Sequence, residues 1–383
     1  TTREAMATNN NDKTLNVPHL RFPEFNGEWE KKRISEFCTL LKGTGISKDQ
    51  LSTNGNPCIL YGELYTKYKA EIINEVLSCT ELDANTLVKS KVNDVIIPCS
   101  GETAIDIATA RYVPFDDVLL GGDLNILRSN KVNGSFLAYQ LNGKRKYDIA
   151  RVAQGVSVVH LYGEHLKNIV ISLPVIEEQQ KISRLLHLLD ERIATQNKII
   201  EKLQSLIKGI TILLTAKGKP NTTIAQCLEC HSSTLQESEV SHSGLYKVFG
   251  ANGLVGYTDM PQMNGDAILI IKDGSGVGTT SYAQGEFSVI GTLNYLTAIS
   301  NYDLRYLYFV LSVFNFQSYK TGMAIPHIYF KDYGNAKIFC PPLSEQKRIA
   351  NVLGKLESKL CLEQNILASF NLQKRYLLGQ MFI

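Results

Sequence analysis

The sequence predicts an α+β fold with two β-rich, mixed α/β domains related by a pseudo-two-fold axis and separated by two long helices that form an antiparallel coiled coil. Three observations predict it: a short phrase that occurs twice, a broader similarity upstream of both copies, and a heptad pattern downstream of both. With 383 residues, of which 44% are hydrophobic, the chain is long enough for two or three domains with real cores. The expected segments are an N-terminal tail (1–27), a first domain (28–172), a first helix (173–217), a second domain (218–339) and a second helix (340–383).

The repeated phrase reads LPVIEEQQKI from Leu173 and CPPLSEQKRI from Cys340, and the copies lie 167 residues apart. The similarity extends upstream, where four residues recur at the same offset: Gly155, His160, Tyr162 and Asn168 match Gly322, His327, Tyr329 and Asn335. A solenoid is not indicated, because solenoids need many short repeats. The pattern indicates two copies of one plan, each with a β-rich block followed by a helix.

A heptad seam follows each copy of the phrase, with spacings that alternate between four and three residues, as in a coiled coil. The first seam is Ile182, Leu186, Leu189, Ile193, Gln196, Ile200, Leu203, Ile207 and Ile210. The second seam is Ile349, Leu353, Leu356, Leu360, Glu363, Leu367, Phe370, Lys374 and Leu377. Pro174 and Pro341 stand just ahead of the helices, where a missing N–H group is tolerated.

A polar residue occupies the midpoint of each seam: Gln196 in the first and Glu363 in the second. In an antiparallel pair the midpoints meet, so we expect these two side chains to hydrogen-bond and to fix the register of the coil. A helix from Ile182 to Ile210 would be about 42 Å long, close to the ~34 Å of one DNA turn. The alternative is that each helix packs only on its own domain.

Composition sets broad limits. The net charge of +3 permits a polyanionic partner but does not require one. Neither a membrane span of about 18 apolar residues nor a secretion signal is apparent, and the polar stretch 9–13 is expected to be disordered. Eight scattered cysteines suit a reducing compartment, so we expect a cytoplasmic protein.

The two halves together resemble the DNA-specificity subunit of a type I restriction–modification system, over nearly the whole chain. The resemblance rests on the two copies of the repeated phrase, on VPHLRFPEFNGEWEKKRISEF from Val17, and on SVVHLYGEHLKNI from Ser157. One mild departure is Ser344, which stands where the first copy has Glu177.

The resemblance implies a bacterial defence role in which each domain recognises one half of a bipartite DNA target. It also implies that the helices act as a spacer and dock two methyltransferase subunits, which bind S-adenosylmethionine, and that restriction subunits use ATP and Mg. This chain would carry no catalytic residue, no metal and no cofactor. The sequence agrees in lacking both the Asn/Asp-Pro-Pro-aromatic motif of adenine methyltransferases and a GxxxxGK[ST] phosphate loop.

The candidate DNA contacts are polar, basic and glycine-rich loops, because glycine lets the backbone approach the duplex, Glu accepts from cytosine N4, and Lys and Arg bind phosphates. In the first domain the candidates are Lys42, Gly43, Thr44, Lys48, Tyr61, Glu63, Tyr65, Ser100, Gly101, Glu102, Thr103, Lys144, Arg145, Lys146, Arg151, His160 and Tyr162. In the second domain they are Lys247, Asn252, Lys272, Asp273, Ser275, Thr279, Thr280, Lys320, Thr321, His327, Tyr329 and Lys331.

Several rival interpretations are weaker. The repeated His160 and His327 have no Cys or carboxylate at ligand spacing, so a metal site is not favoured. CLECH, from Cys227, matches the haem-attachment pattern but lacks an export signal, and GSGVG, from Gly274, lacks full dinucleotide-loop spacing. The main rival is a coiled-coil scaffold with two protein-binding heads, which gives no reason for two differing copies.

Overall fold

The computed structural model describes residues 15–155 and 158–383. The stretch 9–13, expected to be disordered, lies outside the described residues. The chain divides into two compact units: unit 1 comprises Thr1–Thr195 and Leu367–Ile383, and unit 2 comprises Gln196–Ile366. The division falls inside both long helices, so each unit contains a part of each.

Unit 1 contains twelve strands and seven helices within the described residues, counting the first long helix that continues into unit 2. The strands are β1 (Glu30–Arg33), β2 (Thr39–Lys42), β3 (Leu51–Ser52), β4 (Asn56–Ile59), β5 (Ser78–Thr80), β6 (Asp94–Pro98), β7 (Ser100–Gly101), β8 (Arg111–Val113), β9 (Leu119–Leu120), β10 (Leu124–Arg128), β11 (Val159–His160) and β12 (Val170–Leu173). The helices are α1 (Ile34–Phe37), α2 (Glu63–Thr66), α3 (Ala104–Ile107), α4 (Gly134–Asn142), α5 (Lys146–Arg151), α6 (Gly163–Lys167) and α7 (Ile176–Thr215).

Unit 2 contains ten strands and three short helices within the described residues, and it shares the second long helix with unit 1. The strands are β13 (Thr222–Thr223), β14 (Leu228–Ser232), β15 (Tyr246–Gly250), β16 (Gly253–Thr258), β17 (Met263–Asn264), β18 (Ala267–Ile271), β19 (Thr280–Ala283), β20 (Glu286–Val289), β21 (Leu293–Ala298) and β22 (Lys337–Ile338). The helices are α8 (Ile224–Cys227), α9 (Leu304–Ser312), α10 (Phe330–Tyr333) and α11 (Leu343–Gln380).

Both units repeat one sheet plan, as the sequence predicts. The antiparallel sheet β2-β10-β6-β8 of unit 1 has the same order as β14-β21-β18-β19 of unit 2. A second four-stranded sheet differs: it is β3-β5-β4-β9 in unit 1 and β16-β15-β20-β17 in unit 2. The first sheet is therefore the shared framework, and the second is where the copies diverge.

One inner strand of each shared sheet, β6 or β18, is buried on both faces, which explains its continuous apolar sequence. Along β6, Val95 and Ile97 enter the core under α4, whereas Ile96 enters the core under the second sheet. Along β18, Ile268 packs under α9 and Leu269 under the second sheet. Successive strand side chains point to opposite faces, so one strand supports both layers.

The long helices pack against each other and also against the domain cores. Every seam position is buried or half-buried. In unit 2 the helix segments are antiparallel, because Gln196 meets Glu363 whereas Ile210 packs on the cluster that holds Leu353. In unit 1, residues of α7 such as Leu186 share the domain core with Phe382 beyond α11. The coil and the packing of helix on domain, which the sequence left as alternatives, thus coexist.

The repeated glutamine of the phrase has the same partners in both units. Gln179 accepts from the backbone N–H of Asn133 (2.9 Å) and donates to the carbonyl of Pro174 (2.8 Å). Gln346 accepts from the N–H of Asp303 (2.9 Å) and donates to the carbonyl of Pro341 (2.8 Å). The two N–H acceptor contacts fall on the N-cap residues of α4 and α9. Each buried amide therefore fastens a domain helix to the start of a long helix.

Candidate nucleic-acid interface

In unit 1 a closed hairpin brings several candidate residues together. Gln154 and His160 exchange two backbone hydrogen bonds of 2.9 and 2.7 Å. The same segment pairs with β7, where His160 lies opposite Ser100, and Leu161 donates to the carbonyl of Cys99 (2.7 Å). Sequence-distant candidates from two loops are thus adjacent, next to the half-exposed ring of Tyr162.

A cleft beside this hairpin gathers other candidates. It has a volume of about 960 Å³, and its lining includes Lys48, Tyr61, Tyr65 and Glu102. Burial raises the pKa of Tyr65, so its phenol remains a protonated hydrogen-bond donor at neutral pH. Over its whole lining the cleft presents two ammonium groups, two phenols and three carboxylates in a concave surface. Such donors and acceptors suit contacts with base edges and phosphates.

Four candidates of unit 1 make close contacts inside the domain. The Glu63 carboxylate is buried, accepting from the N–H of Leu60 (3.0 Å) and contacting the Lys67 ammonium (2.6 Å). Gly43 has no room for a side chain, because an added Cβ would lie 1.9 Å from the carbonyl oxygen of Gly121. Both residues thus have contacts inside the domain. The same holds for the hydroxyls of Ser100, which donates to Asp123 (2.9 Å), and Thr44, which accepts from the N–H of Val88 (2.9 Å).

The basic run of unit 1 separates into exposed and internal cations. Lys144 and Arg151 are exposed. Arg145 instead donates to the carbonyl of Ile383 (3.1 Å), and burial lowers the pKa of Lys146. Lys144 and Arg151 can therefore approach phosphates without a rearrangement of the domain, although Arg151 lies 3.5 Å from the Asp148 carboxylate.

Unit 2 repeats the hairpin with different loop residues. Thr321 and His327 exchange backbone hydrogen bonds of 2.9 and 2.8 Å. The backbone of His327 also forms an isolated antiparallel β-bridge with that of Asp273. Lys272 contacts the Asp273 carboxylate at 2.6 Å, and its own carbonyl accepts from the N–H of Ile328 (3.0 Å). The loop after β18 and the hairpin before α10 therefore meet in unit 2 as their equivalents meet in unit 1.

The remaining candidates of unit 2 border this meeting point or lie on a separate hairpin. A cleft of about 440 Å³ is lined by Ser275, Thr279, Thr280 and Lys320, among others. The Lys331 ammonium stands 5.3 Å from the ring centroid of Tyr329, itself half-exposed. Lys247 lies on β15 and Asn252 in the turn to β16, and both are exposed.

The remaining candidates of unit 1, Lys42, Gly101 and Thr103, are also at least partly exposed.

Sequence reasoning missed the apolar tip of the unit 2 hairpin. Met323 and Ile325 are exposed there, between Gly322 in the left-handed region and Pro326. A glycine and a proline that bracket two bulky apolar residues could have indicated a rigid turn that presents them.

The residues behind the metal and haem interpretations have other partners in the described part of the chain. Across residues 15–155 and 158–383 no cluster of His, Cys, Asp or Glu could hold a metal ion, and no helix is long and apolar enough to cross a membrane. Within CLECH, Cys227 is buried in the core, 3.9 Å from the sulfur of Cys340, and His231 contacts the hydroxyl of Thr297 (2.9 Å). These side chains pack within unit 2.

Known proteins resemble the chain in sequence and in fold. The family model described as "Type I restriction modification DNA specificity domain" matches residues 26–205 and 225–371. The type I restriction enzyme MjaVIII specificity subunit of Methanocaldococcus jannaschii is 28% identical over 201 residues, covering 52% of this chain and 44% of that protein. The type I restriction enzyme EcoprrI specificity subunit of Escherichia coli is 24% identical over 116 residues, covering 30% of this chain and 29% of that protein. The chain thus spans about half or less of the length of these curated relatives.

The crystal structure of the S subunit of the type I restriction–modification system from M. genitalium has the same overall fold. It superposes with a TM-score of 0.69 at 18% identity, covering 96% of this chain and 99% of that chain. At that identity the similarity establishes the fold alone.

Proposed function

Because the chain belongs to the family of type I restriction–modification DNA specificity domains, we propose that it is the sequence-specific DNA-recognition subunit of a type I restriction–modification complex. The domains 28–172 and 218–339 each read one half of a bipartite double-stranded target. The observation that carries this proposal is the duplicated arrangement in which a hairpin closed at His160 or His327 stands beside a polar, glycine-containing loop. Because the loop residues differ between copies, each domain reads its own half-site.

The proposed contacts separate into two kinds. Base edges are read by exposed polar side chains such as Glu102 and Asn252, which can pair with cytosine and adenine respectively. Phosphates are held by exposed cations, with Lys48, Lys247 and Lys331 as examples. Glu63, Gly43, Ser100 and Thr44 are left out of this set because their polar atoms or their space are used within the domain.

We propose that the long helices set the distance between the two readers and dock two methyltransferase subunits. In α7, Ile199, Leu206 and Leu213 recur every seven residues and are all exposed. A regular apolar stripe on the solvent side of a helix is typical of a surface that a partner covers. Gln196 and Glu363, whose side chains hydrogen-bond at 2.6 Å, fix the register of the coil.

The chain itself is proposed to be non-catalytic. Methylation would be carried out by the partner subunits that bind S-adenosylmethionine, and cleavage by restriction subunits that use ATP and Mg. None of the eight cysteines forms a disulfide, which fits the reducing cytoplasm in which such a complex would work.

Methylome sequencing of the host, with and without this chain, tests the proposal. A bipartite methylation motif should disappear when the chain is deleted and return when it is restored. Replacing the block from Trp29 to Val170 with that of another specificity subunit should change only one half of the motif. Changes in both halves would contradict modular reading, and an unchanged methylome would overturn the proposed function.

The alternative is a scaffold with two protein-binding heads, because heptads serve a scaffold equally well. Electrophoretic mobility shifts with the complete methyltransferase complex separate the two. The complex should retard duplexes that contain the motif at concentrations where unrelated duplexes stay free. Equal retardation of all duplexes would favour the scaffold.

A further inference from the structure

The hairpin of unit 2 is a rigid turn rather than a loose loop. We call residues Thr321–His327 the apolar knob. Its ends are closed by the two backbone hydrogen bonds between Thr321 and His327, and Nδ1 of His327 lies 3.1 Å from the carbonyl oxygen of Ile325. Gly322 has a φ of +86°, and an added Cβ would lie 2.4 Å from the same carbonyl. The tight turn therefore requires glycine at this position.

The knob is also fastened to the domain beneath it. Gly274 donates to the carbonyl of Pro326 (2.9 Å), and Ile328 donates to the carbonyl of Lys272 (3.0 Å). The side chain of Ile328 is fully buried in the unit 2 core. A fixed base of this kind lets side chains at the tip be presented in one place, without an ordering cost on binding.

The tip presents apolar side chains to solvent. Met323 is fully exposed and Ile325 is 65% exposed. Single exposed apolar residues are common and need no explanation by themselves. Here two exposed apolar residues lie on a backbone that is held in place by the five polar contacts given above. This arrangement points to a contact with another molecule.

Unit 1 carries the same device at the equivalent place. Gln154 and His160 close the turn, and Gly155 has a φ of +118° with an added Cβ 2.1 Å from the carbonyl oxygen of Val158. Val158 aligns with Ile325 and is also exposed, at 53%. Val156, which aligns with Met323, lies outside the described residues. Duplication of both the turn and an exposed apolar side chain indicates that the feature serves the task that both domains share.

We propose that Met323 and Ile325 contact the apolar surface of DNA bases in the half-site of the second domain and so determine part of its specificity. This inference rests on the proposed function. The occupant is a nucleic acid because the knob is bordered by cations: Lys320 directly precedes it, and Lys331 follows it beside Tyr329. Apolar side chains at a duplex contact thymine methyl groups in the major groove or the faces of bases at an opened step.

Binding of the complete methyltransferase complex to DNA tests the proposal. The duplexes would carry the methylome motif or a scrambled sequence. The double variant Met323→Ala, Ile325→Ala should bind the motif duplex at least about 10-fold more weakly, because one lost base contact typically has that effect. Its affinity for scrambled duplex and its dependence on salt should be unchanged, because no charge is removed. Val158→Ala should give a smaller loss that maps to the other half-site.

Met260→Ala is the matched control, since Met260 is another strongly exposed methionine of the same unit, located outside the candidate segments. All substituted side chains are exposed, so thermal unfolding should be unchanged and folding does not confound the result. If the double variant binds as Met260→Ala does, or loses affinity equally for both duplexes, the inference is wrong. If the unaltered complex does not prefer the motif duplex, the proposed function fails first, which separates the two failures.

Two further duplexes identify the base surface. Replacing thymine by uracil at each position of the second half-site removes only a methyl group. Loss of affinity with uracil in the unaltered complex, but not in the double variant, assigns the contact to a thymine methyl. An increase in 2-aminopurine fluorescence that requires Met323 assigns it instead to an opened base step. An unaltered complex that responds in neither assay would overturn the proposal.

Discussion

At the start of each long helix the two units make the same hydrogen bonds from a glutamine side chain to the backbone, but they form different ion pairs. Gln179 and Gln346 make equivalent hydrogen bonds to a helix N-cap and a proline carbonyl. The neighbouring carboxylates differ. Glu178 is buried and accepts from Nε and Nη2 of Arg21 (2.8 Å each), whereas Glu345 pairs with its exposed neighbour Arg348. An amide satisfies backbone groups that both copies possess, whereas an ion pair depends on what a nearby segment supplies. In unit 1 that segment is the stretch before the first strand.

A second difference lies one third of the way along the coil. Asp190 of unit 1 is buried, contacting the ammonium of Lys374 (2.6 Å) and accepting from the phenol of Tyr139 (2.7 Å). Glu357 of unit 2, 167 residues later, is half-buried, pairs with Arg305 and accepts from the phenol of Tyr308 (3.0 Å). The phenol–carboxylate bond is kept in both units, but the cation is enclosed only in unit 1. Equivalent residues are therefore expected to differ in their contribution to stability.

The largest expected effect is that of Lys374→Met. Its ammonium lies between the carboxylates of Glu71 (2.5 Å) and Asp190 (2.6 Å), all with side chains no more than 15% exposed. Removing the shared cation leaves two buried like charges, and breaking such a pair costs about 3–5 kcal/mol of the free energy of unfolding. Urea denaturation followed by Trp29 fluorescence measures it, since Trp29, the only tryptophan, lies in the unit 1 core.

Arg305→Met provides the contrast in unit 2. The ion pair of Arg305 with Glu357 is partly solvated, so its loss should lower the free energy of unfolding by about 1 kcal/mol or less. Lys355→Met, at an exposed position of α11, is the control and should have no effect. Losses of equal size at Lys374 and Arg305 would show that enclosure does not distinguish the units.

The pH dependence of the Lys374 effect follows from its environment. Burial lowers the pKa of Lys374, but Glu71 and Asp190 together outweigh burial, so the pKa is raised above its ordinary value. A raised folded pKa stabilises the protein fully below the unfolded pKa of about 10.4, and the contribution is lost as pH rises through the higher folded value. The difference between Lys374→Met and the unaltered protein should therefore stay constant from pH 7 to about pH 10 and shrink only above it.

The next effect in size is that of Arg21→Ala compared with Arg348→Ala. Loss of Arg21 leaves the fully buried Glu178 without its cation, which should cost about 2 kcal/mol, less than for a fully enclosed pair because Arg21 itself reaches solvent. Loss of Arg348 should not change stability measurably, since its pair is exposed. A clear loss with Arg348→Ala, measured by urea denaturation, would contradict the distinction between the two carboxylates.

Equal effects, of the same order as that of Arg21→Ala, are expected for Gln179→Leu and Gln346→Leu. Each change removes two buried hydrogen bonds and leaves an N–H and a carbonyl unpaired, which costs about 1–3 kcal/mol. Gln180→Leu, at the adjacent exposed position, is the control. Hydrogen exchange at α4 and α9 measures the stability of both units in one experiment. Losses of stability that differ by more than a factor of two would show that the two glutamine side chains are not equivalent.

The repeat and the helical seams could be predicted from sequence, because apolar periodicity reports burial directly: every seam position is at least half-buried. The repeated Gln179 and Gln346 indicated the duplication but not their own role. Their backbone partners at Asn133 and Asp303 lie more than 40 residues away in the sequence. The role of Glu63 could not be predicted for a different reason, because its partners Leu60 and Lys67 are near it in sequence but its burial is not visible there. A carboxylate in a polar loop has the same sequence pattern whether it faces solvent or, as here, caps a buried N–H.

The smallest and most informative effect concerns the polar pair within the seam. Gln196 donates to the Glu363 carboxylate (2.6 Å) and to its backbone carbonyl (3.0 Å) at the centre of the predicted coil. The double variant Gln196→Leu, Glu363→Leu replaces a polar contact by apolar packing, so stability should be unchanged or rise by about 1–2 kcal/mol. Register should become less well defined, because a buried polar pair disfavours shifted alignments. Methylome sequencing would then detect additional motifs with altered gaps between unchanged half-sites, whereas a single unaltered gap in the stabilised variant would show that the domain contacts of the helices, such as the two glutamine clamps, determine the register.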